Sequence, residues 1–296
     1  LLIPMINLSE LELSEICDYL RESYPINIKP VFGGNIHSSW SLEFKKLKVF
    51  VKKNISKKFF LKFEEYCLND LKNYVDEKYL IIPNVINYKK IENSEILILE
   101  WIDMENNNQK KFGKGLAMMH LNSQNKRFNK FGYPVEGFIG TNSQIKGWEE
   151  NWSDFFIKYR LNQQFSYLDK NILSSEIIKN LQSKIKQTLS EHEPMSSLVH
   201  GDLWSGNAGI GKSYKGVIFD PASWWADSEV DIAMTRLFGG FGSEFYDEYY
   251  KINKKLKDHE KRSEIYNLYH ILNHASMFGG GYIGQLKRQI KLILNF

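Results

Sequence analysis

Asp202 and Asn207 stand five positions apart in His200-Gly201-Asp202-Leu203-Trp204-Ser205-Gly206-Asn207. An acid and an amide at that spacing suit phosphoryl transfer. The acid faces a substrate hydroxyl and takes its proton, and the amide faces a magnesium ion. A second acid, Asp220, closes the apolar run Val217-Ile218-Phe219. At that place a kinase holds the metal that bridges the phosphates. A hard cation such as Mg²⁺ takes few carboxylates and fills its shell with phosphate and water oxygens, so Asn207 with Asp220 fits. Singly, these are ordinary turn formers; the combined order and spacing are not. Asp220-Pro221 stands where protein kinases carry Asp-Phe-Gly, which argues against a protein kinase proper.

Lys52 follows the apolar Val49-Phe50-Val51. A lysine ending such a strand, with an acid on the next helix, matches a phosphate clamp. Glu64 and Glu65 are the candidate acids, and Glu64 is preferred because it shares a helical side with Phe60 and Cys67. Upstream, Gly33-Gly34-Asn35-Ile36-His37-Ser38 reads as a turn over the phosphates, although it is not a Gly-x-Gly-x-x-Gly loop. Its backbone N–H groups and the Ser38 hydroxyl are the expected contacts. Trp204, two residues from the base, is placed to pack on the acceptor. His120 reads as a core histidine. His270 and His274 lie four apart on a helix without an evident third ligand and read as structural.

The elements that must carry these residues follow from periodicity. Ser9 and Glu12 form a capping-box pattern, and a first helix is predicted from Ser9 to Tyr24. Ile26–Phe32, Ser39–Phe44 and Lys48–Lys52 predict a three-stranded meander. A helix is predicted from about Ser56, carrying Phe60, Phe63, Cys67 and Tyr74 inward, then strands near Val85–Tyr88 and Ile96–Glu100. The polar Asp103–Lys111 is the expected link between lobes. Helices are predicted at Phe112–Leu121 and Trp148–Leu168, along Ile177, Leu181, Ile185 and Leu189, and again after Ser228, Ser243 and Arg262. The fold class is α+β, with a β-rich lobe over 1–103 and a mostly helical lobe over 104–296.

Composition narrows the class. The 296 residues are 43% hydrophobic and 25% charged, ordinary for a globular chain. The net charge of +4 is scattered rather than gathered on one face, which argues against a nucleic-acid partner. No run approaches the ~20 apolar residues of a membrane span. Cys17 and Cys67 read as small core residues, and two lone cysteines suit a reducing compartment, the cytoplasm. The chain does not begin with Met. A monomer is the favoured state.

With these motifs in place, the sequence resembles the fructosamine kinase family, the ketosamine-3-kinases. His200 to Asn207 matches the family signature, including Trp204 and Ser205, which set it apart from aminoglycoside phosphotransferases and choline kinases. Phe219-Asp220-Pro221-Ala222-Ser223, Glu229 to Met234, Leu237 to Phe241, Lys130 to Tyr133 and Gly137 to Gly140 also match, as do Trp148, Asn151-Trp152, Phe155-Phe156 and Arg160-Leu161. The likeness runs from about Val31 to Gly280 and is loosest at Gly33.

The resemblance implies a two-lobed protein-kinase-like fold, ATP and Mg²⁺. It implies phosphorylation of the O3 hydroxyl of ketosamines, the adducts of sugars with amines, free or protein-bound, and hence deglycation. By position it implies Asp202 as base, Asn207 and Asp220 as metal ligands, and Lys52 with Glu64 as the clamp. It implies a hinge for adenine at Glu100, Trp101 and Ile102, and Asp231 ordering the loop near His200. The alternatives are a kinase of an aminoglycoside or choline-like alcohol and a non-catalytic nucleotide-binding protein.

Overall fold

The structure is a computed structural model that describes residues 7–31, 37–105, 107–124 and 128–296. The chain opens with α1 (Glu10–Leu20), capped by Ser9, whose hydroxyl accepts from Glu12 N while Glu12 bonds back to Ser9 N. It stops short of Tyr24 because Arg21 turns left-handed, at φ 54°, and its N–H returns to the Asp18 and Cys17 carbonyls. Next come β1 (Asn27–Pro30), β2 (Ser38–Glu43) and β3 (Lys48–Asn54), the expected meander. Helix α2 (Phe60–Lys72) starts later than Ser56. Side-chain turns occupy the intervening residues: Ser56 N donates to Asn54 Oδ1 at 3.0 Å and Lys58 N to Ser56 Oγ at 3.1 Å. The lobe continues through β4 (Leu80–Ile81), β5 (Val85–Ile91) and β6 (Ser94–Glu100).

The main sheet is antiparallel, in the order β1-β2-β3-β6-β5. Alternation along β3 explains its two lysines, because successive side chains take opposite faces. Val49 and Val51 join Ile96 and Ile98 in a core beneath α1, and Lys53 on that face meets Glu12 of α1 at 2.7 Å. Lys52 points the other way, to α2, and pairs in register with Leu97. Strand β6 is covered on both faces, and Ser94 to Leu99 are all buried.

Strand β7 (Met104–Glu105), within the expected linker, already pairs with the large lobe. That lobe is built from α3 (Lys110–Ser123), β8 (Phe131–Tyr133), β9 (Gly137–Ile139), β10 (Asn142–Gln144) and β11 (Gly147–Glu149). Trp148 therefore lies in a strand, not a helix. The helix begins after Asn151, whose side chain caps Asp154 N. It runs as α4 (Trp152–Phe155), a π-helical turn at Phe156–Leu161 and α5 (Asn162–Tyr167). Then follow α6 (Ser175–Ser190), β12 (Ser196–Val199), β13 (Ala208–Gly211), β14 (Gly216–Ile218) and β15 (Trp224–Asp227). Four helices close the chain: α7 (Glu229–Leu237), α8 (Ser243–Ile252), α9 (His259–Phe278) and α10 (Gly281–Leu294). The break before α10 falls at Gly279-Gly280, both at positive φ.

Two small sheets hold the loop of interest. One has the order β11-β8-β15-β12, the other β4-β14-β13-β7. Cys17 and Cys67 are buried free thiols. Among the described residues no helix is long and apolar enough to cross a membrane.

Candidate active site

The segment between β12 and β13 is fixed from beneath by Asp231 on α7. Its Oδ2 accepts from His200 N at 2.7 Å and its Oδ1 from Gly201 N at 2.9 Å. Asp231 is fully buried, and its charge is supported by His120, whose Nε2 lies 3.1 Å away. His120 also meets the Tyr249 hydroxyl at 2.9 Å. It is thus a core histidine, as expected, but one that braces the loop. Burial works against the Asp231 carboxylate, yet His120, His200 and the Gly201 amide hold it below the usual range. Gly201 sits at φ +82°, and a Cβ there would stand 2.2 Å from Ala222 O. His200 Nε2 lies 2.9 Å from Phe219 O, and Ala222 N donates to His200 O at 2.9 Å. The loop and the residues around Asp220 are therefore stitched together.

Asp202 leaves this platform toward an open cleft between the lobes. Asn207 Nδ2 donates to Asp202 O at 3.0 Å and to Asp202 Oδ2 at 3.1 Å. Burial, then the charge of Asp220, pushes the Asp202 carboxyl up to about 7, against the Asn207 bond. Asp220 adopts φ 56°, a strained value for a non-glycine residue. Across the cleft, Lys52 Nζ lies 2.8 Å from both Glu64 oxygens and is also ion-paired with Asp220. Glu65 instead pairs with Lys62. Burial alone would push the Lys52 ammonium down, but Asp220 and Glu64 outweigh it and hold it above the ordinary lysine value. Burial also opposes the Asp220 charge, and Lys52 overcomes it.

Lys52, Glu64, Asp202, Trp204, Asn207 and Asp220 all line this one cleft. Trp204 lies over Gly206 and meets Phe238 edge-on at 6.0 Å. Gly33 and Gly34 fall outside the described residues. Ser38 opens β2, opposite Lys53. Glu100, Trp101 and Ile102 are not among the cleft's lining residues. Glu100 Oε2 accepts from Asn84 Nδ2 at 2.6 Å, while Trp101 bonds Asp103 and lies under Lys48.

Other lining residues were not read from the sequence: Phe138, Gly140, Asn273, His274 and Met277. By its spacing from His270, His274 reads as structural, but it faces the cleft. The signal was present, since Asn273, His274 and Met277 share a helical face by spacing. The structure also gathers His192, Asp227 and Glu229, which spacing did not disclose. That cluster is closed by Tyr266 on Asp227 at 2.7 Å and by Arg262 on Glu229 at 2.6 Å and 2.8 Å.

The donor set suits a hard cation. Asp220 offers a carboxylate, and Asn207, with its nitrogen turned to Asp202, has a carbonyl oxygen to offer. A β-rich lobe whose buried lysine faces acids of a helical lobe across a cleft is the architecture of protein-kinase-like phosphotransferases.

Comparison with known proteins narrows that class. The sequence model of the fructosamine kinase family matches residues 14–296. The chain is 34% identical over 287 residues to a "probable ketoamine kinase" of Vibrio parahaemolyticus, covering 95% of this chain and 98% of that protein. A crystal structure from Haemophilus somnus 129PT, assigned as a fructosamine-3-kinase, superposes with a TM-score of 0.83 at 24% identity, over 95% of this chain and 96% of the other. An aminoglycoside phosphotransferase, APH(4)-Ia in complex with AMP-PNP and hygromycin B, shares the fold at a TM-score of 0.66 and 12% identity, over 96% and 97% of the two chains. The chain belongs to the fructosamine kinase family.

Proposed function

We propose that this enzyme uses Mg-ATP to phosphorylate the O3 hydroxyl of a ketosamine, on a free or protein-bound amine, and so serves deglycation. The observation that carries the reading is the convergence of Lys52, Asp202, Asn207 and Asp220 on one cleft in a chain of this family. ATP lies between lobes whose boundary we place at 103/104. Lys52, steadied by Glu64, takes the phosphates. The Ser38 hydroxyl is a further phosphate contact, and the backbone of residues 100–102 receives adenine. Asn207 and Asp220 would hold Mg²⁺, which when bound offsets charge on the transferring phosphoryl group.

Asp202 accepts the hydroxyl proton. Its pKa near 7 suits that task, because a base works best when its pKa lies close to the operating pH. Asn207 and the Asp231-bound loop hold the carboxylate in place, which lowers the entropy lost in reaching a reactive geometry. Trp204, with Phe238 beside it, packs on the sugar or its carrier. Trp204→Ala should raise KM for the adduct by about fivefold, the scale of one lost aromatic contact of about 1 kcal/mol. Tighter adduct binding in that variant would remove Trp204 from the site.

The regiochemistry is tested by carbon-13 and phosphorus-31 spectra of the product formed from a ribulose adduct of lysine. Phosphorus coupling at C3 is expected. Coupling at another carbon would overturn the O3 assignment. A product formed only from an aminoglycoside or choline would move the chain to another acceptor.

A further inference from the structure

His270 lies on α9, one turn before His274, and is 1% exposed. Neither of its ring nitrogens has a hydrogen-bond partner. Nearly all buried polar atoms in folded proteins are paired, and a pair of exceptions on one ring asks for a cause. Its Nδ1 stands 3.9 Å from Asp202 Oδ1, beyond hydrogen-bond range. The other Asp202 oxygen is already held by Asn207. The base therefore has one oxygen tied and the other facing an unmatched imidazole across a short gap. Burial pushes His270 down to about 3, so the ring is neutral and carries a single N–H. Such a ring does not take the proton from Asp202; in its Nδ1–H tautomer it can donate to the carboxylate.

We propose that His270 is a positioning residue for the base: its Nδ1–H closes on Asp202 Oδ1 when nucleotide and acceptor are bound. The gap to be closed is about 1 Å. The carboxylate then receives one donor on each oxygen, from Asn207 and from His270, and its plane is fixed. Each oxygen keeps a further lone pair, so the substrate hydroxyl still has an acceptor. The hydrogen bond also favours the ionised carboxylate, the form that acts as base. This inference rests on the reading of Asp202 as the base.

The test uses the full chain, Mg-ATP and the ribulose adduct of lysine, with His270→Phe, His270→Asn, Asp202→Asn and the double variant His270→Phe/Asp202→Asn. Phenylalanine keeps the ring and removes the donor; asparagine puts an N–H near the place of Nδ1. We expect His270→Phe to lower kcat by about tenfold or more while KM for Mg-ATP and for the adduct stay within about twofold. Its melting temperature should not fall, because two unmatched buried nitrogens are gone. His270→Asn should keep most of the rate, and the double variant should be no slower than Asp202→Asn.

Wild-type kcat in His270→Phe would overturn the inference, as would equal losses in the Phe and Asn variants. Full activity in Asp202→Asn would overturn the base assignment and this inference with it. An inactive Asp202→Asn beside an unimpaired His270→Phe overturns the inference alone. Nitrogen-15 spectra of the imidazoles decide without turnover, and serve equally if His270→Phe does not fold. An Nδ1–H tautomer whose signal moves between the wild type and Asp202→Asn is expected. An Nε2–H tautomer would overturn it.

Discussion

Asp202 sits where its own charge is disfavoured, by burial first and by Asp220 second. Its folded pKa of about 7 stands above the ordinary aspartate value of about 4. Between those two values the unfolded chain is ionised here while the folded chain keeps the proton. Stability from this group is thus complete below about pH 4 and is lost as pH rises through about 7. Asp202→Asn, which cannot ionise, should therefore melt higher than the wild type at pH 8, with the difference closing by about pH 4. Thermal melts across that range check the sign, and a difference equal at both ends would contradict it.

At this scale the sequence was most informative. Lys52, Asp202, Asn207 and Asp220 could be picked out because kinase chemistry fixes their order and spacing. The choice of Glu64 over Glu65 followed from helical periodicity, and Glu64 is the one that reaches Lys52. Asn273, His274 and Met277 were missed because they enter the cleft from α9, far along the chain. His270 reads as structural from sequence because two histidines four apart on a helix point to a metal only with a third ligand, and its approach to Asp202 depends on the fold.

Among the elements, α1 has the least obvious purpose. It packs on the far face of the sheet from the cleft and meets β3 through Glu12 and Lys53. Lys52 and Lys53 are thus held from opposite faces by glutamates of two helices. Glu12 and Lys53 are 3% and 7% exposed, so removing one partner leaves a buried charge without its counterion. Glu12→Ala should cost about 3 kcal/mol or more of stability. Urea unfolding measures this; an unshifted midpoint would mean that α1 is not needed to hold β3.

Element types were largely legible, and their ends less so. The meander, α2 and the covered strand β6 follow from alternation and periodicity. Trp148 was placed in a helix because aromatic spacing continues unbroken across Asn151, and the cap that separates strand from helix lies in that asparagine. The delay of α2 to Phe60 likewise comes from polar side chains bonding backbone, which apolar periodicity does not register.

In the whole molecule, both lobes shape a single site. Strands β4 and β7 flank the β13–β14 hairpin, so the small lobe is joined to the sheet that follows the loop over 200–207. Lys52 and Asp220 are ion-paired across the cleft. The α+β class and the order of the lobes were readable from the change of period near residue 103. The small sheet β11-β8-β15-β12 was not, because its strands are 3 or 4 residues long and too brief to display alternation. The acceptor is the least legible feature, because a fold of this kind serves many substrates.

The most direct measurement is ADP release from Mg-ATP in the presence of ribulose and fructose adducts of lysine, comparing the wild type with Asp202→Ala. Release that requires an adduct and falls by about 10²–10⁴-fold in the variant, with Mg-ATP still bound, is the expected result. Adduct-independent release, or a variant as fast as the wild type, would contradict a ketosamine kinase that works through Asp202.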